Sequence, residues 1–125
     1  MPMRREILIV EDEEDVRRVI SAALTSAGYE VATVASGREM ESYLTQHPSP
    51  TELVVLMDIA LGMENGLELA QAAQARFGPL RVLFMSGFAD DVLLMDKQLS
   101  PADAQFIRKP FVRSELLAAV ATLAA

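Results

Sequence analysis

The sequence predicts an α/β domain in which a parallel sheet is covered by helices on both faces. Five short, mostly apolar runs have the length of a strand, and each is followed by a stretch with the apolar spacing or the capping residues of a helix. The connections between these segments are short. Strands that alternate with helices in this way form a parallel sheet through right-handed crossovers, so few topologies are possible.

The first strand is predicted over residues 7–10, an apolar, β-branched run that stops at the acidic cluster of residues 11–15. Apolar residues then recur at spacings of three and four over residues 16–27, which predicts an amphipathic helix, and Gly28 suits the position just past its end. We interpret the acids at positions 13–15 as helix-end residues, because negative charge is favourable at the N-terminal end of a helix.

A second strand over residues 29–34 leads to Ser36 and Glu39, which have the spacing of a capping box and predict the start of a second helix. His47, the only histidine, follows this helix and could serve as a general base or a phosphoryl carrier. Because Pro48 marks a surface connection there, we interpret His47 as a solvated loop residue.

The third strand carries the strongest indication of chemistry. Residues 53–57 form an apolar run typical of a strand buried on both faces, and the run ends at Asp58. Ligands bind at the carboxyl ends of strands in open α/β sheets, so a carboxylate here favours chemistry over packing, although a turn or cap aspartate is the common alternative. A turn-rich loop over residues 59–66 and a helix that ends at Phe77 follow.

The fourth strand, predicted over residues 80–85, ends at Ser86 and places another polar side chain at the same edge. Asp90 or Asp91 is predicted to cap a further helix, which Pro101 bounds. The apolar positions of this helix are too crowded to form a clean stripe.

A short fifth strand over residues 104–107 leads to Lys109, and a last helix is predicted over residues 112–123. Many lysines at strand ends are simply solvated. Lys109 is one of only two lysines in the chain and lies between an apolar strand and Pro110, which favours a functional role.

Length and composition limit the classes of function. At 125 residues we expect one domain, spanning residues 1–125, with no appended catalytic or DNA-binding domain. The net charge of -7 and the pI near 4.6 argue against direct nucleic-acid binding. There is no signal peptide, membrane-spanning stretch or cysteine in the sequence, so we expect a cytoplasmic protein without disulfides, thiolate metal sites or membrane contact.

Parallel strands would bring five polar side chains to one edge of the sheet: Glu11, Asp12, Asp58, Ser86 and Lys109. Three carboxylates in a small volume repel one another unless a cation joins them, and oxygen ligands suit a hard ion such as Mg²⁺. The ammonium and the hydroxyl group could contact phosphate oxygens. These residues together describe a site in which Asp58 attacks a phosphoryl group and forms an acyl phosphate.

The residues resemble the receiver domain of two-component response regulators over essentially the whole chain. The resemblance rests on five motifs that occur in order at the family's spacing: the first-strand acidic motif at residues 7–13, Asp58 in the place of the phosphorylated aspartate, the loop glycine Gly66, the pair Ser86 and Gly87, and the lysine–proline signature at residues 109–111.

This resemblance implies a flavodoxin-like (βα)5 three-layer sandwich with strand order 2-1-3-4-5. It also implies that Mg²⁺ is the cofactor. Its ligands would be the carboxylates of Asp12 and Asp58 and the main-chain carbonyl of Ala60, with Glu11 acting through water.

The resemblance further implies that Ser86 and Lys109 contact the phosphoryl oxygens and that Phe106 occupies the family's aromatic switch position. The implied function is that of a phosphoacceptor in a two-component phosphorelay, with a histidine kinase or histidine phosphotransfer protein as donor. Such a domain catalyses its own phosphorylation and dephosphorylation. It signals as a monomer or weak dimer by switching a face that binds a downstream protein. Residues 84–91 are similar to receivers of hybrid histidine kinases.

Several positions depart from the family's usual pattern. Glu11 replaces the commoner aspartate, and Gly62 stands where proline is usual, so we expect a more mobile loop after the phosphoacceptor. Phe106 lacks the hydroxyl of the tyrosine form. Residues 98–105 lack the usual Gly-Ala approach to the fifth strand, and Val112 occupies a usual N-cap Ser/Thr position.

Three alternatives stay open at this stage. A phosphatase with Asp58 as transient nucleophile would need a second aspartate two residues later, where this chain has Ala60. A flavin-binding module of the same fold would need a hydroxyl-rich phosphate loop after the first strand, where this chain is acidic. An inactive receiver-like interaction domain is disfavoured because every chemical position is filled.

Overall fold

The computed structural model describes residues 5–87 and 105–124. The strands are β1 Glu6–Val10, β2 Glu30–Val34, β3 Val54–Asp58, β4 Ala60–Leu61, β5 Glu64–Asn65, β6 Arg81–Ser86 and β7 Phe106–Arg108. The helices are α1 Glu14–Ser26, α2 Gly37–Gln46, α3 Gly66–Phe77 and α4 Arg113–Ala124, with a 3₁₀ turn at Pro50–Glu52. The predicted helix that starts at Asp90 or Asp91 and stops before Pro101 lies outside the described residues.

Five strands form one parallel sheet in the order β2-β1-β3-β6-β7. The remaining two, β4 and β5, pair with each other in a short antiparallel hairpin. When only the strands of the main sheet are counted, this order is 2-1-3-4-5, so the predicted flavodoxin-like α/β architecture is confirmed. Such a sheet places the carboxyl ends of β1, β3, β6 and β7 at a common edge.

Strands β1 and β3 are buried on both faces, which explains their continuous apolar runs. Alternate residues of β1 and β3 point to opposite faces and join separate core clusters. One cluster contains residues of α2 and α3, including Met40 and Ala70; the other contains residues of α1 and α4, including Leu24 and Val120. The helices therefore cover both faces of the sheet, as the sequence predicts.

Most helix ends follow the predicted chemistry. Gly28 follows the C-cap of α1 with φ +100°, a conformation that glycine adopts without steric cost. At the start of α2, the Ser36 hydroxyl accepts the Glu39 N–H at 3.2 Å, and the Glu39 carboxylate accepts the Ala35 N–H at 3.1 Å. The capping box is thus present. Its acidic arm binds the amide one residue before the N-cap.

The segment after Asp58 is more regular than the predicted turn-rich loop. Residues 60–61 and 64–65 pair as the β4–β5 hairpin, whose turn contains Gly62 at φ +60°. Proline cannot adopt this angle, because its ring holds φ near about -65°. The turn therefore needs a residue other than the proline that is usual here, and the expected mobility of this segment stays a prediction.

The interpretation of His47 as a solvated loop residue is wrong. Its side chain is only 13% exposed, and Nε2 lies 2.5 Å from a carboxylate oxygen of Glu6. Nδ1 accepts the main-chain N–H of Ser49 at 2.9 Å, and the ring lies beside that of Tyr43. The partner that buries His47 is 41 residues away in sequence, so no local pattern could indicate it.

Within the described residues, no helix has the length and apolarity needed to cross a membrane.

Candidate functional site

Two neighbouring strands bring three carboxylates together at the carboxyl end of the sheet. Glu11 and Asp12 directly follow β1, and Asp58 is the last residue of β3. Because β1 and β3 are parallel, with Val10 opposite Met57, all three acids leave the sheet at the same edge. One ligand oxygen from each residue lies within 4.8 Å of those of the other two. The structure therefore contains the predicted convergence of these acids.

The three acids differ sharply in exposure. Glu11 is fully buried and Asp58 is only 4% exposed, whereas Asp12 is open to solvent. A buried carboxylate is costly unless a cation or hydrogen-bond donors compensate its charge. The two buried acids therefore require positive charge, and the exposed one leaves a route by which an ion could reach them.

Lys109 provides part of that charge. It directly follows β7, and its Nζ lies 3.4 Å from Asp58 Oδ2 and 3.5 Å from Glu11 Oε2. Burial alone would lower the pKa of Lys109, but the carboxylates of Asp58 and Glu11 outweigh this effect and raise it. The ammonium group is therefore held charged between the two buried acids.

The backbone around Lys109 is also ordered by hydrogen bonding. Its main-chain N–H donates to the carbonyl of Ser86 at 2.8 Å, and the peptide bond to Pro110 is cis. This contact ties the residue after β7 to the last residue of β6.

Glu11 has an unusual electrostatic environment. Burial, followed by the hydrogen bond and the charge of nearby Asp58, raises the pKa of Glu11 to about 8, although Lys109 opposes the shift. Its Oε1 atom is buried and has no hydrogen-bond partner among residues 5–87 and 105–124. A buried oxygen without a donor is unfavourable in the protein alone, so this atom is available to a bound cation or its water.

Ser86 lies on the strand that pairs with β3, and Ala60 lies on the segment that follows Asp58. Ser86 ends β6, is 1% exposed, and follows Met85, which pairs with Asp58 across the sheet. Ala60 begins the hairpin two residues after Asp58. Both residues are therefore at the edge where the sequence predicts them.

Gly66 has a steric reason to be glycine. A Cβ atom at this position would lie 2.2 Å from the main-chain oxygen of Asp58. The main-chain N–H of Gly66 donates to the carbonyl of Ile59 at 2.7 Å. A larger residue would therefore displace the backbone that carries Asp58.

Arg17 is a residue of the site that the sequence analysis missed. Its guanidinium group donates to the main-chain carbonyls of Glu11 at 2.8 Å and Asp12 at 3.0 Å. These bonds hold the turn that carries both acids. An arginine in the first turns of a helix that follows an acidic cluster is the only sequence signal for this contact.

Phe106 lies on β7, where its ring stacks on that of Phe84 at a centroid distance of 5.4 Å. Both rings pack against a small core cluster formed by Ile59 and Leu67. Ile59 follows Asp58 directly, so a continuous set of apolar contacts joins the segment after Asp58 to β7. The role of Phe106 as a switch stays a prediction.

The donor set fits a hard divalent cation. Carboxylate and carbonyl oxygens are the ligands that Mg²⁺ prefers, and this ion usually keeps several of its waters. The cluster offers three carboxylates, one of which contains the unpartnered Glu11 Oε1 and another of which is exposed. Glu11, Asp12 and Asp58 could therefore hold a metal ion.

The sequence matches the family model of the response regulator receiver domain over residues 7–121. It is 34% identical over 113 residues to the response regulator receiver protein CpdR of Brucella abortus, covering 90% of this chain and 91% of that protein. It is similar in structure to NtrX from Brucella abortus, with a TM-score of 0.81 and 24% identity over 98% of this chain and 27% of that chain. A putative response regulator from Chloroflexus aurantiacus has a TM-score of 0.78 and 24% identity over 98% of each chain.

The two structural relatives are below 25% identity and therefore show only the shared fold. The family match and the CpdR relative go further, because each covers most of the chain at the level of sequence. This chain belongs to the response regulator receiver domains of two-component signalling.

Proposed function

We propose that this receiver domain accepts a phosphoryl group at Asp58 from the phosphohistidine of a histidine kinase or phosphotransfer protein. The observation that carries the proposal is the position of Lys109, whose Nζ lies 3.4 Å from Asp58 and 3.5 Å from Glu11. This arrangement keeps a positive charge beside a buried carboxylate that has an exposed neighbour, Asp12. It suits the binding and transfer of an anionic group.

The proposed transfer is an in-line displacement at phosphorus. A carboxylate oxygen of Asp58 forms a new bond to phosphorus while the bond to the donor's imidazole nitrogen breaks, and the imidazole leaves. Lys109 neutralises charge on the phosphoryl oxygens, and the Ser86 hydroxyl donates a hydrogen bond to one of them. The raised pKa of Lys109 keeps it charged throughout.

Asp12, Asp58 and the main-chain carbonyl of Ala60 would hold Mg²⁺, with Glu11 acting through water. When bound, Mg²⁺ supplies positive charge that neutralises phosphoryl oxygens. The exposed Asp12 leaves the cluster open to the ion, and the buried Glu11 Oε1 offers an acceptor to which no group in the described part of the chain donates. The same residues would support later hydrolysis of the acyl phosphate, so the domain catalyses both its own phosphorylation and its own dephosphorylation.

Phosphorylation would be read as a change in the surface around β7. The new group adds negative charge and three acceptor oxygens at Asp58, which would draw Ser86 and its loop inward. Phe106 stacks on Phe84, two residues before Ser86 on β6. Movement of β6 would therefore reach Phe106 and alter the face offered to a downstream protein.

Acetyl phosphate and Mg²⁺ provide a direct test. Incubation should add one phosphoryl group per chain, detected by intact-protein mass spectrometry, and omission of Mg²⁺ should prevent the addition. The Asp58→Asn variant should remain unmodified under the same conditions, because its amide cannot attack phosphorus. Absence of modification in the unaltered chain, or modification that persists in Asp58→Asn, would refute the proposal.

A further inference from the structure

The β4–β5 hairpin links the acidic cluster to the start of α2. Leu61 on β4 is 2% exposed and anchors the hairpin in the core, and Glu64 lies opposite it on β5. At the turn, a Cβ atom on Gly62 would lie 3.6 Å from Oδ2 of Asp12. The position of the hairpin therefore determines what surrounds the Asp12 carboxylate and where the Ala60 carbonyl lies.

Glu64 holds the second strand of this hairpin. Its carboxylate accepts the main-chain N–H of Gly37 at 3.0 Å, across a separation of 27 residues. Gly37 is the first residue of α2, so its N–H has no partner within the helix. The nearby hydroxyl of Ser36 accepts the Glu39 N–H. A carboxylate is favourable at this end of a helix, which strengthens the contact.

The contact also depends on the absence of a side chain at Gly37. A Cβ atom there would lie 2.6 Å from Oε2 of Glu64 and 2.6 Å from a methyl carbon of Leu69. A side chain at this position would displace the Glu64 carboxylate or the Leu69 side chain, so glycine permits the contact in its present form. The charge-assisted hydrogen bond and the close fit of the Glu64 carboxylate against Gly37 together join β5 to α2.

We propose that Glu64 is a positioning residue for the metal and phosphoryl site. By fixing β5 against the start of α2, it holds the hairpin in the place where the Ala60 carbonyl and the Asp12 carboxylate can bind the same ion. This inference rests on the proposed function. Glu64 contacts no reacting group in it and acts only through the hairpin.

The test compares Mg²⁺ affinity among three variants by calorimetry of the unphosphorylated protein. Glu64→Ala should weaken Mg²⁺ binding about tenfold, the lower end of the effect typical of residues that orient metal ligands. Glu64→Gln should stay within about twofold of the unaltered chain, because its amide oxygen can still accept the Gly37 N–H. Met63→Ala, in the fully exposed turn of the same hairpin, should have no effect.

Amide hydrogen exchange at Gly37 provides a second readout that does not depend on the ion. This amide should exchange faster in Glu64→Ala and at the ordinary rate in Glu64→Gln and Met63→Ala. Gly37→Ala approaches the contact from the other side and should weaken Mg²⁺ binding as Glu64→Ala does, even if Glu64→Ala folds poorly. Urea unfolding of each variant establishes that it is folded.

The outcomes separate this inference from the proposed function. Equal losses of affinity in Glu64→Ala and Glu64→Gln would show that charge matters and position does not, and would overturn the inference. Unchanged affinity in Glu64→Ala with faster exchange at Gly37 would also overturn it, while leaving the proposed function intact. An unaltered chain that does not bind Mg²⁺ would overturn both.

Discussion

The amino and carboxyl ends of the sheet differ in whether the protein itself supplies partners for their polar side chains. At the amino end, Nδ1 of His47 accepts the Ser49 N–H, so the other ring nitrogen carries the proton that it donates to Glu6 at 2.5 Å. Arg5 and Arg81 donate to main-chain carbonyls in the last turn of α4, at 2.8 and 3.2 Å. The chain itself supplies the partners of these groups. The two arginines also place positive charge at the C-terminal end of α4, which has no basic residue in its own last turn.

The carboxyl end leaves such groups uncompensated. Two buried carboxylates, those of Glu11 and Asp58, share the ammonium group of Lys109, and within the described part of the chain the buried Oε1 of Glu11 has no hydrogen-bond partner. Unsatisfied groups of this kind lower stability and are concentrated at functional sites. The polar contacts at the amino end of the sheet therefore stabilise the fold, whereas the carboxyl end retains an electrostatic cost that an external ligand can offset.

Removal of Lys109 should produce the largest functional effect at the carboxyl end. Lys109→Ala should slow phosphorylation by acetyl phosphate about a hundredfold, as expected when one positioned donor to a developing negative charge is lost. The rate can be followed by quenched mass spectrometry at saturating Mg²⁺. Arg113→Ala, an exposed basic residue four positions later, should keep the original rate. A similar loss in both variants would indicate a general effect of net charge.

Glu11 should lower the free energy of unfolding as pH rises. Its pKa in the folded protein is about 8, above the ordinary value of 4.5, so the folded state binds more protons than the unfolded state between these values. The unfolding free energy should therefore fall as pH rises from about 4.5 to 8, by at most about 1.4 kcal/mol per pH unit. Urea unfolding in the presence of a chelator at several pH values measures this slope.

Glu11→Gln isolates the contribution of Glu11 to that slope. The variant should be more stable than the unaltered chain at pH 8 and should show a shallower decline over the same range. The raised pKa of Lys109 affects stability only at higher pH, so it does not contribute to the slope between about pH 4.5 and 8. If the unfolding free energies of the two proteins fell in parallel with pH, the loss of stability could not be assigned to Glu11.

The sequence predicts the carboxyl end well because every chemical residue there follows an apolar run. Asp58 ends a buried strand, Ser86 ends the next one in the sheet, and Lys109 follows the edge strand. Parallel strands carry such residues to one edge whatever the details of the loops. Spacing and strand direction were therefore enough to predict that Lys109 lies beside Asp58 and that Ser86 lies at the same edge of the sheet.

Contacts made across long stretches of sequence were not predictable in this way. The pairing of His47 with Glu6 joins the end of α2 to the start of β1, and neither segment contains a signal for the other. The two-residue strands of the hairpin are too short to show a period. Arg17 binds main-chain carbonyls, which every residue has, so its partners leave no mark in the sequence.

A change at the amino end should affect stability without affecting the chemistry. His47→Ala removes a mostly buried ring and its bonds to Glu6 and Ser49, and should lower the unfolding free energy by about 1 to 2 kcal/mol. Urea unfolding measures the loss, and a double-mutant cycle with Glu6→Ala isolates the pair. The phosphorylation rate with acetyl phosphate should stay unchanged. A slower rate would show that the two ends of the sheet are coupled.

The smallest predicted effect concerns the incomplete cap of α4 at Val112. This cap is a defect of helix capping, unlike the buried Glu11 carboxylate, which a bound ion could compensate. Val112 precedes α4 near Lys109, and its N–H is accepted by Glu115 at 3.0 Å, which forms one half of a capping box. Val112→Thr would add the other half, because the hydroxyl can accept the Glu115 N–H. We expect a gain of about 0.5 to 1 kcal/mol in unfolding free energy, with Mg²⁺ affinity and phosphorylation rate unchanged.

The contrast with Glu11→Gln makes this last substitution informative. Both changes should stabilise the protein at pH 8, and both lie at the carboxyl end of the sheet. Glu11→Gln should also weaken Mg²⁺ binding, because it removes a charge from the cluster that could hold the ion. If Val112→Thr weakened Mg²⁺ binding as well, the stability that the protein gives up for ion binding would depend on the backbone after Lys109 and not only on the carboxylates.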